Sequence, residues 1–197
     1  MIPWLSCLLA VASVPLANSG LIAFGVASDT TYTIVFETTH GDFTLEVYSA
    51  RAPRTVEAFM SLVRSGFYDD MVFHRVVRDR VVQTGWLDPD FSPREHTIEP
   101  LPNEADNRLK NVRGSVAMAR LRDPHSATTE FFVNVEDNPH LDFKSYTVDD
   151  WGFTVFGRVI DGMRTVDAIS RVPTKRVGRL RDVPRDFIII HRAYVRD

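Results

Sequence analysis

Cysteine is almost missing from this 197-residue chain: the single one, Cys7, stands in an uncharged N-terminal stretch. The rest of the chain therefore forms no internal disulfide and offers neither a thiolate nucleophile nor a Cys-type zinc site. Six histidines are present, but they make no His-Glu-x-x-His or His-x-His pattern, and no carboxylate-rich loop has calcium spacing. No metal or other cofactor is expected. A phosphate-cradling glycine loop is also missing, and Gly114 with Ser115 does not complete the Gly-x-Ser-x-Gly elbow of a serine hydrolase. Nor is there an excess of one charge. A formal net charge of -3 exerts no bulk pull toward nucleic acid, which is not an expected partner.

No charged side chain precedes Asp29, so only the terminal amine supplies positive charge there. An apolar run followed by small residues, with Gly25 and Ala27 suited to cleavage before Ser28, reads as an export leader over residues 1–27. The remaining domain, 28–197, is then periplasmic or secreted. The alternative is an anchor left uncleaved, but Pro15, Asn18, Ser19 and Gly20 interrupt the roughly 20 apolar residues that a span needs. No stable membrane span is expected once the leader is removed.

What is there suits one globular domain: 44% of residues are hydrophobic, enough for a sizeable core. Alternating runs at Tyr32 to Thr38 and Phe43 to Tyr48 flank the turn residues His40-Gly41-Asp42 and predict a hairpin. Pro53 near a first turn, Val56, Phe59 and Val63 on one face, and Gly66 as a stop predict a helix. Met71 to Val77, Val81 to Thr84, Ser115 to Ala119, Phe131 to Val135, Phe153 to Val159 and Phe187 to Val195 read as strands, and Met163 to Ser170 as a second helix. Between them, Gly85 to Arg113 is a long proline-broken loop of the kind that tends to carry function. Many short strands with two separated helices predict a mainly β fold, a closed antiparallel barrel whose ends are capped by helices. Such a barrel leaves no edge for a partner to complete, so a monomer is expected.

The strand at Met71 to Val77 is unusual in carrying a cation. Alternation puts Phe73, Arg75 and Val77 on one side and Val72, His74 and Val76 on the other, which makes His74 a core histidine. By residue type alone Arg75 is also compatible with a surface salt bridge, and Phe132 and Leu141 with ordinary core packing. Lys175, Arg176, Arg179 and Arg181, near Pro173 and Pro184, read as a solvated basic loop rather than an anionic contact surface.

Several segments are more specific in combination. Phe73-His-Arg-Val-Val, Gln83, Asn103-Glu-Ala-Asp-Asn107, Arg113-Gly-Ser-Val-Ala-Met-Ala-Arg120, Ser126-Ala-Thr-Thr-Glu-Phe-Phe-Val-Asn134 and Val155-Phe-Gly-Arg-Val159 resemble, in order and spacing, the cyclophilin family of peptidyl-prolyl cis-trans isomerases. The resemblance spans about Tyr32 to Val195 and points to the bacterial exported branch. It implies a closed eight-stranded antiparallel barrel capped by two α-helices, with a groove on its outer face for an extended proline-containing polypeptide, and a role in folding exported proteins. Arg75 is then the catalytic residue and Gln83 holds a substrate carbonyl. The backbone near Ala119 and Arg120 pairs with the peptide, and Phe132 and Leu141 line the proline pocket.

The chain departs from that pattern at the groove. Arg80 and Val81 stand where Phe-Met is usual, Glu130 where Gln precedes the two phenylalanines, His140 where Trp or Phe precedes Leu141, and Phe153 where His or Tyr is common. All are expected to line the substrate site, with Glu130 pairing Arg75 or Arg80. The alternative function these departures raise is a cyclophilin-fold binding or chaperone module with weak or no isomerase activity.

Overall fold

The structure, a computed structural model, describes residues 30–196. The leader read at residues 1–27, with Cys7 and the cleavage point, lies outside them. Strands β1 (Thr31–Thr38) and β2 (Gly41–Tyr48) form the expected hairpin, paired from Thr31↔Tyr48 to Thr38↔Gly41. Helix α1 (Pro53–Arg64) follows, then β3 (Arg75–Val77), β4 (Val81–Thr84), β5 (Ser115–Met118), β6 (Phe131–Asn134) and β7 (Val155–Asp161). The chain continues through α2 (Met163–Ser170), the pair β8 (Thr174–Val177) and β9 (Leu180–Pro184), and β10 (Ile190–Arg196).

Eight strands make one curled antiparallel sheet in the order β10-β1-β2-β7-β5-β6-β4-β3. Its edges, β10 and β3, do not form a ladder with each other. An irregular seam joins the curl instead: Asp70 N–H donates to the Ile190 carbonyl at 2.7 Å, Phe73 N–H to Ile188 at 2.9 Å, and Ile190 N–H to Met71 at 2.8 Å. The seam also corrects the reading of the third strand. Met71, Val72, Phe73 and His74 are all buried, because the chain there is covered on both sides. Alternation starts only at Arg75, and Phe73 faces the core rather than sharing a side with Arg75.

The interior is aromatic. Phe36, Phe43, Phe59, Tyr68, Phe131 and Phe156 are fully buried, with Phe36 and Phe43 stacked at 5.1 Å and Phe59 edge-on to Phe131 at 5.4 Å. Helix α1 closes one end through Val56, Phe59, Met60 and Val63. Its first residue is Pro53, whose missing N–H is no loss at a helix start, yet Ala52 supplies no side-chain cap. The cap comes from the long loop: the Glu104 carboxylate accepts from Thr55 N–H at 2.9 Å, Thr55 Oγ1 at 2.7 Å and Arg54 N–H at 3.2 Å. A carboxylate at the positive end of the helix dipole is favourable as well as bonded. Helix α2 is pinned by a two-pronged contact from Arg113 to Asp167 at 2.8 and 2.9 Å, which raises the arginine pKa and lowers the carboxylate's.

Residues 174–184 depart from the solvated loop expected there. They form the β8–β9 hairpin, paired from Thr174↔Pro184 to Val177↔Leu180 and turned at Gly178, whose φ is +58. Arg185 N–H donates to the Pro173 carbonyl at 2.8 Å and closes its base, and β9 packs beside β3. Val177 and Leu180 flanking a two-residue turn with glycine carried that signal in the sequence.

Candidate active site

Strands β3 to β7 turn alternate side chains inward and outward, so each contributes to two apolar layers. Val76, Val82, Val116, Met118, Phe131, Val133 and Phe156 point into the core. Val81, Ala117, Phe132 and Val155 form a second, smaller cluster on the opposite face, extended by Val77, Ala119, Leu141 and Phe153. A cavity of about 420 Å3 opens over this outer cluster. Phe132 is 4% exposed and forms its base, edge-on to Phe153 at 5.7 Å.

The rim is set by hydrogen bonds from residues far away in sequence. Asn103 Nδ2 donates to the Gly152 carbonyl at 3.1 Å and Asn107 Nδ2 to Val155 at 2.8 Å, so the long loop braces the segment carrying Phe153. Gly152 has φ +72, and a Cβ there would lie 2.5 Å from the Phe143 nitrogen, so only glycine fits. On the far side, Asn111, Asn134 and Asn138 are buried and linked: Asn138 Nδ2 donates to Asn134 Oδ1 at 2.9 Å, and Asn134 Nδ2 to Asn111 Oδ1 at 3.2 Å. Asn111 Nδ2 then holds the Leu141 carbonyl at 3.0 Å. This chain of satisfied amides fixes the turn that presents His140 and Leu141.

Arg75 and Gln83 face each other across β3 and β4, and the Arg75 Nη1 donates to Gln83 Oε1 at 3.0 Å. The guanidinium is exposed and, among the described residues, makes no ion pair, so most of its five N–H donors remain open to the cavity. Gln83 Nε2 donates to Glu130 Oε2 at 2.6 Å, and the same oxygen lies 3.2 Å from His74 Nε2. The result is a relay from the exposed Arg75 to a histidine 4% exposed. Glu130 therefore does not pair directly with Arg75 or Arg80, as its sequence position suggested. Strand pairing sets Gln83 opposite Phe132, next to Glu130, and keeps the carboxylate on the amide, while Arg80 turns to Glu136 at 3.1 Å.

Arg120 forms the opposite wall. Its Nε donates to the Gly152 carbonyl at 2.9 Å and its Nη1 to the carbonyls of Leu121 and Arg122, with the guanidinium 4.7 Å from the Phe153 ring centre. Burial lowers its pKa, and Asp123 and Asp149 oppose that shift. Ala119 N–H is taken by the Glu130 carbonyl at 2.9 Å, and no backbone hydrogen bond among the described residues uses the Arg120 N–H. No three histidine, cysteine or acidic side chains among the described residues converge on a metal position.

Three comparisons bear on this arrangement. The family model described as cyclophilin type peptidyl-prolyl cis-trans isomerase/CLD matches residues 33–195. The chain belongs to this family. Peptidyl-prolyl cis-trans isomerase B of Escherichia coli K12 is 44% identical over 162 residues, which are 82% of this chain and 98% of that protein. Peptidyl-prolyl cis-trans isomerase cyp18 of Streptomyces antibioticus is 46% identical over 163 residues, 83% and 98% of the two chains. A crystal structure of a cyclophilin-type isomerase from Cryptosporidium parvum shares the fold, with a TM-score of 0.66 at 22% identity over 85% of this chain and 99% of its own.

The cyclophilin cavity is lined by Arg75, Arg80, Val81, Gln83, Ala119, Arg120, Phe132, His140, Leu141 and Phe153, the residues named from the sequence apart from Glu130. Val77 and Asn138 line it too and were not named. Val77 was legible as the second outward residue of β3, whereas nothing in the local sequence signals that Asn138 lies beneath the pocket. Glu130 faces an adjoining cavity of about 640 Å3, which shares Arg75, Gln83, Ala119 and Arg120 with the first. Trp86, His96 and the hairpin residues Arg179 and Arg181 line that second cavity, and its existence was not read from the sequence.

Proposed function

We propose that this cyclophilin-type peptidyl-prolyl cis-trans isomerase turns Xaa-Pro bonds in the outer cavity, with Arg75 as the catalytic residue. Rotation about a peptide bond costs about 18 to 20 kcal/mol because amide resonance is lost, while the two planar forms of Xaa-Pro lie within about 1 kcal/mol of each other. Catalysis therefore requires the twisted amide to be favoured over both planar states. As resonance breaks, the prolyl nitrogen regains a lone pair, and an Arg75 N–H donates to it. No bond is made or broken in the chain, and no nucleophile is involved.

Each neighbouring group has a separate task. Phe132, Leu141, Val81 and Phe153 take the proline ring, with His140 and the Arg80 stem at the edge. Gln83 holds a carbonyl of the substrate, and the Arg120 N–H with the neighbouring carbonyls pairs with the extended backbone. Anchoring one side lets the other rotate without losing its place. Glu130 fixes the Gln83 amide so that its oxygen stays turned toward Arg75. The observation that carries this reading is an exposed guanidinium, unpaired by any carboxylate among the described residues, held by Gln83 at the mouth of an apolar cavity.

A binding module with little turnover is the second reading. It rests on the wall formed by Val81 and Arg80, where no aromatic side chain stands and the Arg80 head group is drawn to Glu136. Purified protein that accelerates isomerisation of a short Xaa-Pro peptide in proportion to its concentration supports the first reading. Peptide binding without acceleration supports the second.

The clients are proline-containing segments of exported proteins, and the protein acts as a monomer in the periplasm or outside the cell. The uncharged residues 1–27 support that location. A mature N-terminus at Ser28, read by sequencing the protein recovered from the extracytoplasmic fraction, is the expected result. Retention of residues 1–27 in a membrane fraction would favour the anchored alternative.

A further inference from the structure

The second cavity is strongly cationic on a chain whose net charge is -3. Arg75, Arg120, Arg179 and Arg181 line it against a single carboxylate, Glu130, which is already bonded to Gln83 and lies 3.2 Å from His74 Nε2. Arg75 is bonded to Gln83, and Arg120 to three backbone carbonyls. Arg179 and Arg181 differ: both are exposed, and neither side chain has a hydrogen bond or ion pair among the described residues. Asp182, next in the chain, does not line the cavity.

Their placement is not that of a loose basic patch. The β8–β9 hairpin is closed at its base by the Arg185 to Pro173 bond, anchored by Val183 at 1% exposure, and packed against the strand that carries Arg75. Both guanidinium groups are thus delivered to a cavity that meets the proline pocket across Arg75, Gln83, Ala119 and Arg120.

We propose that Arg179 and Arg181 form a subsite for an acidic side chain two or three residues before the proline of the client. This inference rests on the proline ring occupying the outer pocket with its nitrogen toward Arg75. The preceding residue is attached to that nitrogen, so the chain leading to the proline runs past Arg75 into the cationic cavity. An aspartate or glutamate there meets two unpaired cations, while a lysine meets a wall of like charge.

The test uses matched peptides that differ only in Asp, Ala or Lys, placed two residues before the proline in one series and three in another. With wild-type protein at low salt, kcat/KM for the better-placed Asp peptide exceeds that of its Ala counterpart by about three- to tenfold, since each contact is exposed and screened. The Lys peptide falls below Ala, and the differences shrink as salt rises. Arg179→Ala with Arg181→Ala brings the Asp-to-Ala ratio to about one, whereas the Arg179→Lys, Arg181→Lys pair keeps most of the preference. Equal rates for all three peptides with wild type, or a preference that survives the double alanine change, would overturn the subsite. Failure to turn over even the Ala peptides would instead count against the isomerase reading. Binding of fluorescent Asp and Ala peptides still measures the same preference in that case, and equal affinities would end the proposal.

Discussion

The two faces of strands β4, β5 and β6 are built from similar residues and do different work. Phe131 and Phe132 are neighbours on β6, both almost fully buried, yet Phe131 packs among Phe36, Phe59 and Tyr68 while Phe132 floors an open cavity. Val82 faces the core, and Val81 and Gln83 on either side of it face the groove. The inward layer is closed on all sides, so its contacts are fully used in folding. The outward layer is apolar surface left partly unpaired, with a guanidinium at its edge, and that incompleteness is what a substrate can use.

The sharpest way to break the comparison is to truncate each member of the phenylalanine pair. Phe131→Ala removes an aromatic from the closed core and should lower stability by about 3 to 5 kcal/mol in denaturant unfolding. Phe132→Ala should cost less stability but reduce kcat/KM by about tenfold or more if the proposed contact with the proline ring is the one lost. If instead Phe132→Ala unfolds the protein as severely as Phe131→Ala, the two layers are not functionally distinct.

A smaller effect tests the pocket wall. Arg80→Phe with Val81→Met supplies the missing aromatic and a longer side chain, and should raise kcat/KM toward short peptides by up to about tenfold. A large gain would place the natural protein nearer to a binder than to an efficient isomerase, and no gain would mean that the wall is already adequate. The smallest expected change concerns the relay. Glu130→Leu frees the Gln83 amide, and a loss of about threefold to tenfold in kcat/KM is expected from that one hydrogen bond. Glu130→Gln keeps an acceptor oxygen and should recover most of the rate. Equal losses in both variants would show that the carboxylate charge, not the orientation of Gln83, is what the site needs.

The same contrast explains what was legible in the sequence. Periodicity identified β1, β2, both helices and most of the strands, because a side chain that faces a closed core leaves a two- or four-residue signature. It failed at residues 71–74, where the seam covers both sides of the chain and removes the alternation. It could not separate Phe132 from Phe131 either, since an apolar groove residue and an apolar core residue have the same composition; only the resemblance to the family did so. The Glu130 contact was misjudged because partners across β4 and β6 depend on register, which single-residue chemistry does not reveal. The basic hairpin looks like a loop in sequence because its charges dominate the Val177 and Leu180 pattern. Its approach to the groove is a matter of tertiary packing.

The central claim is that the outer face is catalytic and that Arg75 acts on the twisted amide itself. It is tested most directly by comparing wild type with Arg75→Ala in Xaa-Pro isomerisation, alongside peptide affinity. The account predicts a fall in kcat/KM of about 10²- to 10³-fold, the usual cost of removing one positioned donor, with affinity for the planar peptide changed far less. Acceleration that survives the substitution, or a loss explained wholly by weaker binding, would contradict it.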